Sequence, residues 1–249
     1  MKRAAFYLLI GLLSVSSLGC RDWDKLSDRD SATLDRVLAH WESWVPARKK
    51  DASAPLMTFR ELYQGLDSEA QDFLNRVRQM KPSDADFDSS ISFKRIDGQP
   101  VLKNGKPEVI DAQYLPQHVY GAYEKMMAAM ERDLGRRLWV ESGYRSPAYQ
   151  LYTFLYYTPK HHYSLKETNQ WVALPGHSEH GNPKSQAIDF INQDGIDGDS
   201  DNHQTAGDFE ALPEYAWLQQ RAKEFGFELS YPRGGKNTTF EPWHWRYRA

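Results

Sequence analysis

The chain has 249 residues, with 31 Lys and Arg against 34 Asp and Glu, a formal net charge of −3 and 13% aromatic residues including eight Trp. So even a balance argues against a nucleic-acid binder, which would show a basic stripe, while the aromatic content predicts a true core with rings to spare for a cleft. Cys20 is the only cysteine, which excludes an intramolecular disulfide and argues against a closed, cysteine-rich structural zinc site.

Met1, Lys2 and Arg3 precede an apolar run from Ala4 to Leu13, and Ser14, Ser16, Ser17 and Gly19 follow before Cys20. A basic start, a short apolar stretch and small residues describe a secretory signal. About ten apolar residues are too few to span a bilayer, which takes roughly 20. Ser17-Leu18-Gly19-Cys20 resembles a bacterial lipobox, with Ser17 where Leu is usual. The expectation is a lipoprotein signal peptide over 1–19, a lipidated Cys20 and a location in the cell envelope, anchored to a membrane. Arg21 rather than Asp after the Cys slightly favours the outer membrane, in a cell that has one. Residues 20–33 are polar and read as a tether.

A helical extension is expected over 34–84. Leu34, Val37, Leu38, Trp41 and Val45 fit a helix over 31–45. Pro46 to Pro55 reads as a linker. A second helical pattern starts after Thr58 as N-cap, with Gly65 a break. From Ser89 to Gln113, Asp97-Gly98 and Asn104-Gly105 are hairpin-turn signals between short strands. Gln117 to Arg132 is a further helix whose Met126, Met127 and Met130 read as core filling. His40 and His118, on apolar helical faces, read as structural.

Leu138 to Val140 reads as a strand running into Glu141-Ser142-Gly143-Tyr144-Arg145-Ser146, with Ser146 the N-cap and Pro147 the first residue of a helix. Arg145 then stands beside a helix N-terminus, a corner suited to a carboxylate or a developing oxyanion. In a strand over Gln186–Ile191, Ala187 and Asp189 share one face while Ile188 and Phe190 pack behind. A carboxylate on so apolar a strand needs a partner, and a metal is one candidate. In the tail, alternation puts His244 and Arg246 on one face and Trp243, Trp245 and Tyr247 on the other. Glu241, before Pro242, ends a turn that arches it toward His244. His180, Asp189 and His244 give three N/O ligands with a fourth position open, and Glu241 is placed to take a proton from a water there. His177 reads as a rim residue. Asp197, Asp199, Asp201, Asn202 and Asp208 approximate a calcium loop but lack its Gly at six and Glu at twelve. A solvated acidic loop is the better reading, with Ca2+ at Asp197, Asp199 and Asp201 as the alternative. Leu212 to Phe225 reads as a helix stopped by Gly226, and Phe227 to Tyr231 as a strand.

Three stretches carry a resemblance: Ser142 to Ser146, Ser178-Glu179-His180 with Ala187 and Asp189, and Glu241 to Tyr247. They look like the motifs of the VanY-type D-alanyl-D-alanine carboxypeptidases, of the superfamily that also holds lysostaphin-like enzymes and hedgehog domains. The resemblance covers roughly 110–249 and implies an α+β fold, an antiparallel sheet with flanking helices, in a peptidase domain over 85–249. It also implies a catalytic zinc on His180, Asp189 and His244, with Glu241 as base. Arg145 and Gln150 would hold the substrate, with Tyr144, Ser178 and Glu179 shaping the site. The chain departs from the pattern in one place. His180 and Asp189 are nine apart where the family has seven, with the surplus in Gly181 to Lys184 and Ser185 where Gly is usual; a loop absorbs two residues without moving its ends.

The implied substrate is the peptidoglycan stem peptide, cut at a D-Ala-D-Ala or an L,D-type bond. A cross-bridge endopeptidase and a non-catalytic zinc-containing peptidoglycan-binding module are the alternatives. A positioned Glu241 beside a full ligand set favours an enzyme, because a binding module has no use for a base.

Overall fold

The computed structural model describes residues 24–78, 91–103, 105–198, 203–235 and 240–248. The expected signal peptide, Cys20 and residues 79–84 of the expected extension lie outside the described residues. Among the described residues no helix is long and apolar enough to cross a membrane. The fold is α+β, and the strands form small antiparallel sheets. The chain divides into two compact units, one of residues up to Asp88 with Arg145–Gly181, the other of Ser89–Tyr144 with Asn182–Ala249.

The first unit is helical. Helix α1 spans Asp28–Glu42 and so begins inside the stretch expected to be a tether, because the Ser27 hydroxyl accepts the Asp30 amide and caps it. Trp41, fully buried on α1, donates its indole N–H to the Leu62 carbonyl at 2.9 Å. The expected linker over 46–55 is also corrected. It holds helix α2 (Val45–Lys50), with Pro46 in its first turn, and a 3₁₀ turn over Ala54–Leu56 containing Pro55. Proline at a helix start gives up an amide that had no partner, so it initiates rather than breaks. Helix α3 (Phe59–Tyr63) opens on a capping box between Thr58 and Glu61, and Gly65 at φ +78° separates it from α4 (Ser68–Arg78). His40 is structural, its Nε2 2.9 Å from the Gln64 carbonyl.

The second unit carries the sheets. Strands β1 (Phe93–Ile96), β2 (Pro100–Lys103), β3 (Lys106–Val109) and β4 (Gln113–Pro116) form two pairs, β2 with β3 across Gly105 and β1 with β4. The hairpin expected here is present, β2 pairing with β3 up to Lys103 opposite Lys106, while Asn104 itself lies outside the described residues. Asp97-Gly98 joins strands of different sheets instead. Gln99 explains the divergence: its side chain donates to the Val140 carbonyl at 2.9 Å and accepts the Val140 amide at 2.8 Å, drawing the chain away from β1. Helix α5 (Gln117–Leu134) ends on the left-handed Gly135 and buries Met126, Met127 and Met130. His118 is exposed and edge-on to Tyr247 at 5.8 Å.

The four-stranded sheet runs β5-β6-β8-β7, with β5 at Leu138–Ser142, β6 at Ala187–Asn192, β7 at Phe227–Leu229 and β8 at His244–Tyr247. In the first unit, helices α6 (Pro147–Tyr157) and α7 (Leu165–Thr168) complete one core with α1, α3 and α4. In the second, α8 (Ala206–Glu210) and α9 (Pro213–Arg221) pack with α5 on Val140, Ile188, Phe190 and Trp245. Residues 222–225, expected as the end of one helix, tighten to a 3₁₀ turn that stops at Gly226.

Between Val140 and Ser142 the β5–β6 register slips, so that Val140 faces Phe190 and Ser142 faces Asp189, with Glu141 as the extra residue of a bulge. Gly143 follows, and the chain there runs against β4: the Tyr144 amide donates to the Tyr114 carbonyl at 2.7 Å. A Cβ on Gly143 would drive into that same carbonyl oxygen. Gly143→Ala is therefore expected to destabilise the fold by about 1–3 kcal/mol, the scale of an overpacked core. A urea denaturation midpoint unchanged from the parent's would contradict this.

Candidate metal centre

Strand pairing builds half of the centre. Asp189 on β6 is the register partner of His244 on β8, so both side chains project from one face of the sheet. His244 Nδ1 stands 2.8 Å from Asp189 Oδ1 and 3.9 Å from Glu241 Oε2. The turn expected between Glu241 and His244 is present: the His244 amide donates to the Glu241 carbonyl at 3.1 Å, and the Trp245 indole to the Pro242 carbonyl at 2.8 Å. Tyr231 lies over His244, ring centroids 4.8 Å apart. Behind the turn, Trp243 packs where Gly198, at φ +78°, has no side chain; a Cβ there would enter the indole.

His180 sits in a 3₁₀ turn over Glu179–Gly181. Its amide donates to the Ser178 hydroxyl at 3.3 Å, and its carbonyl accepts the Arg145 amide at 3.1 Å. The Arg145 Nη2 donates to the same Ser178 hydroxyl at 3.5 Å. Arg145 directly precedes the α6 cap, where Ser146 accepts the Tyr149 amide at 3.0 Å and donates to the Met57 carbonyl at 2.6 Å. Gln150 is buried in the first turn of α6, its side-chain Nε2 donating to the Ala173 carbonyl at 2.7 Å. Tyr144 is buried against Phe93, centroids 4.4 Å apart.

His180, Asp189 and His244 each offer one ligand atom, and these atoms lie within 4.8 Å of one another; His177 is not in the group. The two imidazoles are 2% and 5% exposed. Two imidazole nitrogens and one carboxylate, held this close with both histidines buried and Asp189 half-buried, fit a borderline dication such as zinc, which takes N/O donors at about 2.0–2.2 Å. Asp199 and Asp201 of the suggested calcium loop lie outside the described residues. Asp208 is occupied otherwise: its carboxylate accepts from the amide and hydroxyl of Thr205, both at 2.7 Å, in a capping box.

Glu141 is a half-buried acid beside the centre to which the sequence motifs assign no role. Burial pushes its carboxyl above the ordinary carboxylate range, Lys103 at 3.2 Å opposes this, and Asp197 and Asp189 add to it. Burial in turn draws Lys103 down, but the carboxylates of Glu141, Asp197 and Glu108 hold its ammonium above the usual value. The signal was available in principle, as a charged residue between the apolar Val140 and the small Ser142 and Gly143. Tyr231 gave none, because its contact with His244 is made only by the fold.

An antiparallel sheet with Asp189 and His244 on one face, joined by His180 from its 3₁₀ turn and by a carboxylate at the adjoining turn, defines a domain built around a candidate metal centre. Residues 112–249, more than half of the chain, match the family model described as VanY, D-alanyl-D-alanine carboxypeptidase, and the chain belongs to that family. Among relatives, it is 30% identical to YodJ of Bacillus subtilis over 146 residues, 56% of this chain and 48% of that one. It is 31% identical over 144 residues to VanXYC of Enterococcus gallinarum, a bifunctional D-Ala-D-Ala dipeptidase and carboxypeptidase, covering 54% of this chain and 67% of that one. A solved structure of a vancomycin-resistance D,D-pentapeptidase VanY with Zn(II) aligns at a TM-score of 0.42 and 26% identity, over 64% of this chain and 79% of that one. The chain thus spans about half the length of YodJ.

Removing one ligand should empty the centre. Asp189→Ala is expected to bind zinc at least tenfold more weakly, with metal analysis after dialysis against a weak chelator giving well under one ion per chain. Stoichiometric zinc in that variant would remove Asp189 from the ligand set.

Proposed function

We propose that this chain is a zinc-dependent carboxypeptidase that removes the C-terminal residue from peptidoglycan stem peptides. The observation that carries the reading is the grouping of His180, Asp189 and His244 within 4.8 Å, with the Glu241 carboxylate 3.9 Å from His244. A zinc ion held by these three side chains supplies a Lewis acid that polarises a carbonyl and acidifies water toward a pKa of about 7. Everything else falls to the protein. Glu241 accepts the proton of the attacking water and returns it to the leaving amine, because it is the carboxylate beside the ligand set that is not itself a ligand. The Glu241 carbonyl bond to the His244 amide holds base and ligand in one turn, so neither moves without the other.

Arg145 is assigned to the substrate's terminal carboxylate. Its backbone bond to His180 ties it to the ligand-bearing turn, and its guanidinium offers paired donors and a permanent charge beside the N-terminus of α6. Ser178, shared by Arg145 and the His180 amide, keeps that guanidinium in register. Gln150 supports α6 by tying it to Ala173, and Tyr144, packed on Phe93, anchors the strand end before Arg145. An exported domain with Cys20 lipidated in the cell envelope accords with a cell-wall substrate.

Two measurements test this. Glu241→Ala is expected to keep its fold and its zinc and to lose about 10²–10⁴-fold in turnover, the contribution of a general base. Loss of zinc along with activity would make Glu241 a ligand or a structural residue. A stem peptide ending in a free D-Ala carboxylate should be hydrolysed while its C-terminally amidated twin is spared. Arg145→Lys should be impaired, because a point charge does not reproduce the bidentate fork. Equal rates on the two peptides would move the assignment to an endopeptidase. No hydrolysis of either, with zinc bound, would favour the binding module.

A further inference from the structure

A cavity of about 290 Å³ in the second unit is walled by the β2–β3 hairpin, the residues that follow it and β5. Small-molecule pockets run from about 300 to 1,000 Å³, so this one suits a single functional group rather than a whole ligand. Its apolar wall is Val101 and Ile110, which pack with Ile191 and Trp139. Its polar wall carries four charged side chains, Lys103, Glu108, Asp111 and Glu141. Six of the eight lining residues precede position 112, where the family match begins, so the family motifs assign the cavity no role.

Strand alternation places the cavity beside the metal centre. On β5, Leu138 and Val140 join the main core, whereas Trp139 packs with Ile191, Val101 and Ile110 on the opposite face. On β6, Ile188 and Phe190 belong to that core, so Asp189 and Ile191 share the opposite face. The hairpin therefore covers the Ile191 end of the face that bears Asp189. Glu141 stands between the two, in the bulge next to Ser142, the register partner of Asp189. Two residues along a strand span about 6.7 Å. A group in the cavity would thus lie about one such step from the ligand set.

Glu141 defines what the cavity accepts. One of its carboxylate oxygens takes the Lys103 ammonium at 3.2 Å; the other, Oε2, is buried and has no hydrogen-bond partner among the described residues. A buried acceptor left unbonded is costly, which favours a donor entering the cavity. Charge gives the donor's sign. Three carboxylates line the cavity against one ammonium, and the field of Asp197 reaches both Glu141 and Lys103. Lys106, the other lysine of the hairpin, is not among the lining residues. Lys103 in the same space repels a metal dication, whereas an ammonium supplies the missing hydrogen bond at half the charge. We propose that this cavity is a subsite for an ammonium group of the peptide substrate, with Glu141 as its anchor and Glu108 at its exposed rim. It rests on the peptidase reading for the nature of the substrate, and its test reads binding apart from turnover.

The experiment compares three peptides on the zinc-loaded Glu241→Ala chain, with affinity read by calorimetry. They are Nα-acetyl-lysyl-D-Ala-D-Ala, its uncharged norleucyl counterpart, and norleucyl-D-Ala-D-Ala with a free α-amine. A peptide bearing an ammonium is expected to bind about tenfold or more tightly than the uncharged one, the scale of a hydrogen bond between charged groups. Preference for the lysyl peptide assigns the cavity to a side chain, and preference for the free α-amine to a peptide N-terminus. Adding Glu141→Gln, which keeps the shape and removes the charge, should bring that ratio close to one. Glu108→Gln, at an exposed position away from the bulge, should lower it severalfold and decides the matter if the Glu141→Gln chain does not fold. No preference for either ammonium, or a preference kept in full by folded Glu141→Gln, or by Glu108→Gln in its stead, would overturn the subsite. Hydrolysis is followed separately with Glu241 in place. An intact preference with no peptide cleaved would sink the peptidase reading and leave the subsite standing.

Discussion

The pairing of β6 with β8 is the constraint on which the rest depends. It sets Asp189 opposite His244, and a slip of one residue would turn either side chain into the core. The register is held from several sides. Ile188 and Phe190 are fully buried behind the ligand face with Trp245, and the Phe190 amide donates to the Trp243 carbonyl. The Tyr247 amide donates to the Gln186 carbonyl at the far end of the pair. Apolar burial on one face of the sheet thus fixes polar geometry on the other, and the chemistry inherits the rigidity of a core it does not touch.

The turns that flank this pair follow the same economy of backbone bonds. Glu241 is tied to His244 through its carbonyl, and His180 is tied to Arg145 through its own. In each case a group assigned to chemistry is bonded by main chain to a residue of the ligand set. Substitution of the side chain leaves that framework intact, which is why the variants argued above separate catalysis from folding. Gly143 is the opposite case. Its role is the absence of a side chain where two backbones meet, so its replacement acts on the fold before it acts on the site.

Much of the site was legible in the sequence because its residues sit in strongly patterned segments. Alternation in Gln186 to Ile191 separates Asp189 from the buried Ile188 and Phe190, and the capping signal of Ser146 with Pro147 locates Arg145. The turn at Pro242 brings Glu241 round to His244. What was not legible depends on partners distant in sequence. The bulge at Glu141 breaks the alternation that would have put Ser142 on the face of Val140, and only the register with β6 reveals it. Asp97-Gly98 has the composition of a hairpin turn, yet Gln99 is claimed by Val140, forty-one residues on. The early start of α1 and the helix at Pro46 were missed for a local reason: polar and proline-rich stretches read as linkers, although Ser27 and Pro46 are both helix initiators.

The proposed function stands on one ion held by His180, Asp189 and His244 together. X-ray absorption at the zinc edge of the loaded chain reads that shell directly. Two imidazoles and light oxygen donors at about 2.0–2.2 Å are expected, with one imidazole lost in His244→Ala. A sulfur scatterer near 2.3 Å, or a spectrum in His244→Ala identical to the parent's, would contradict it.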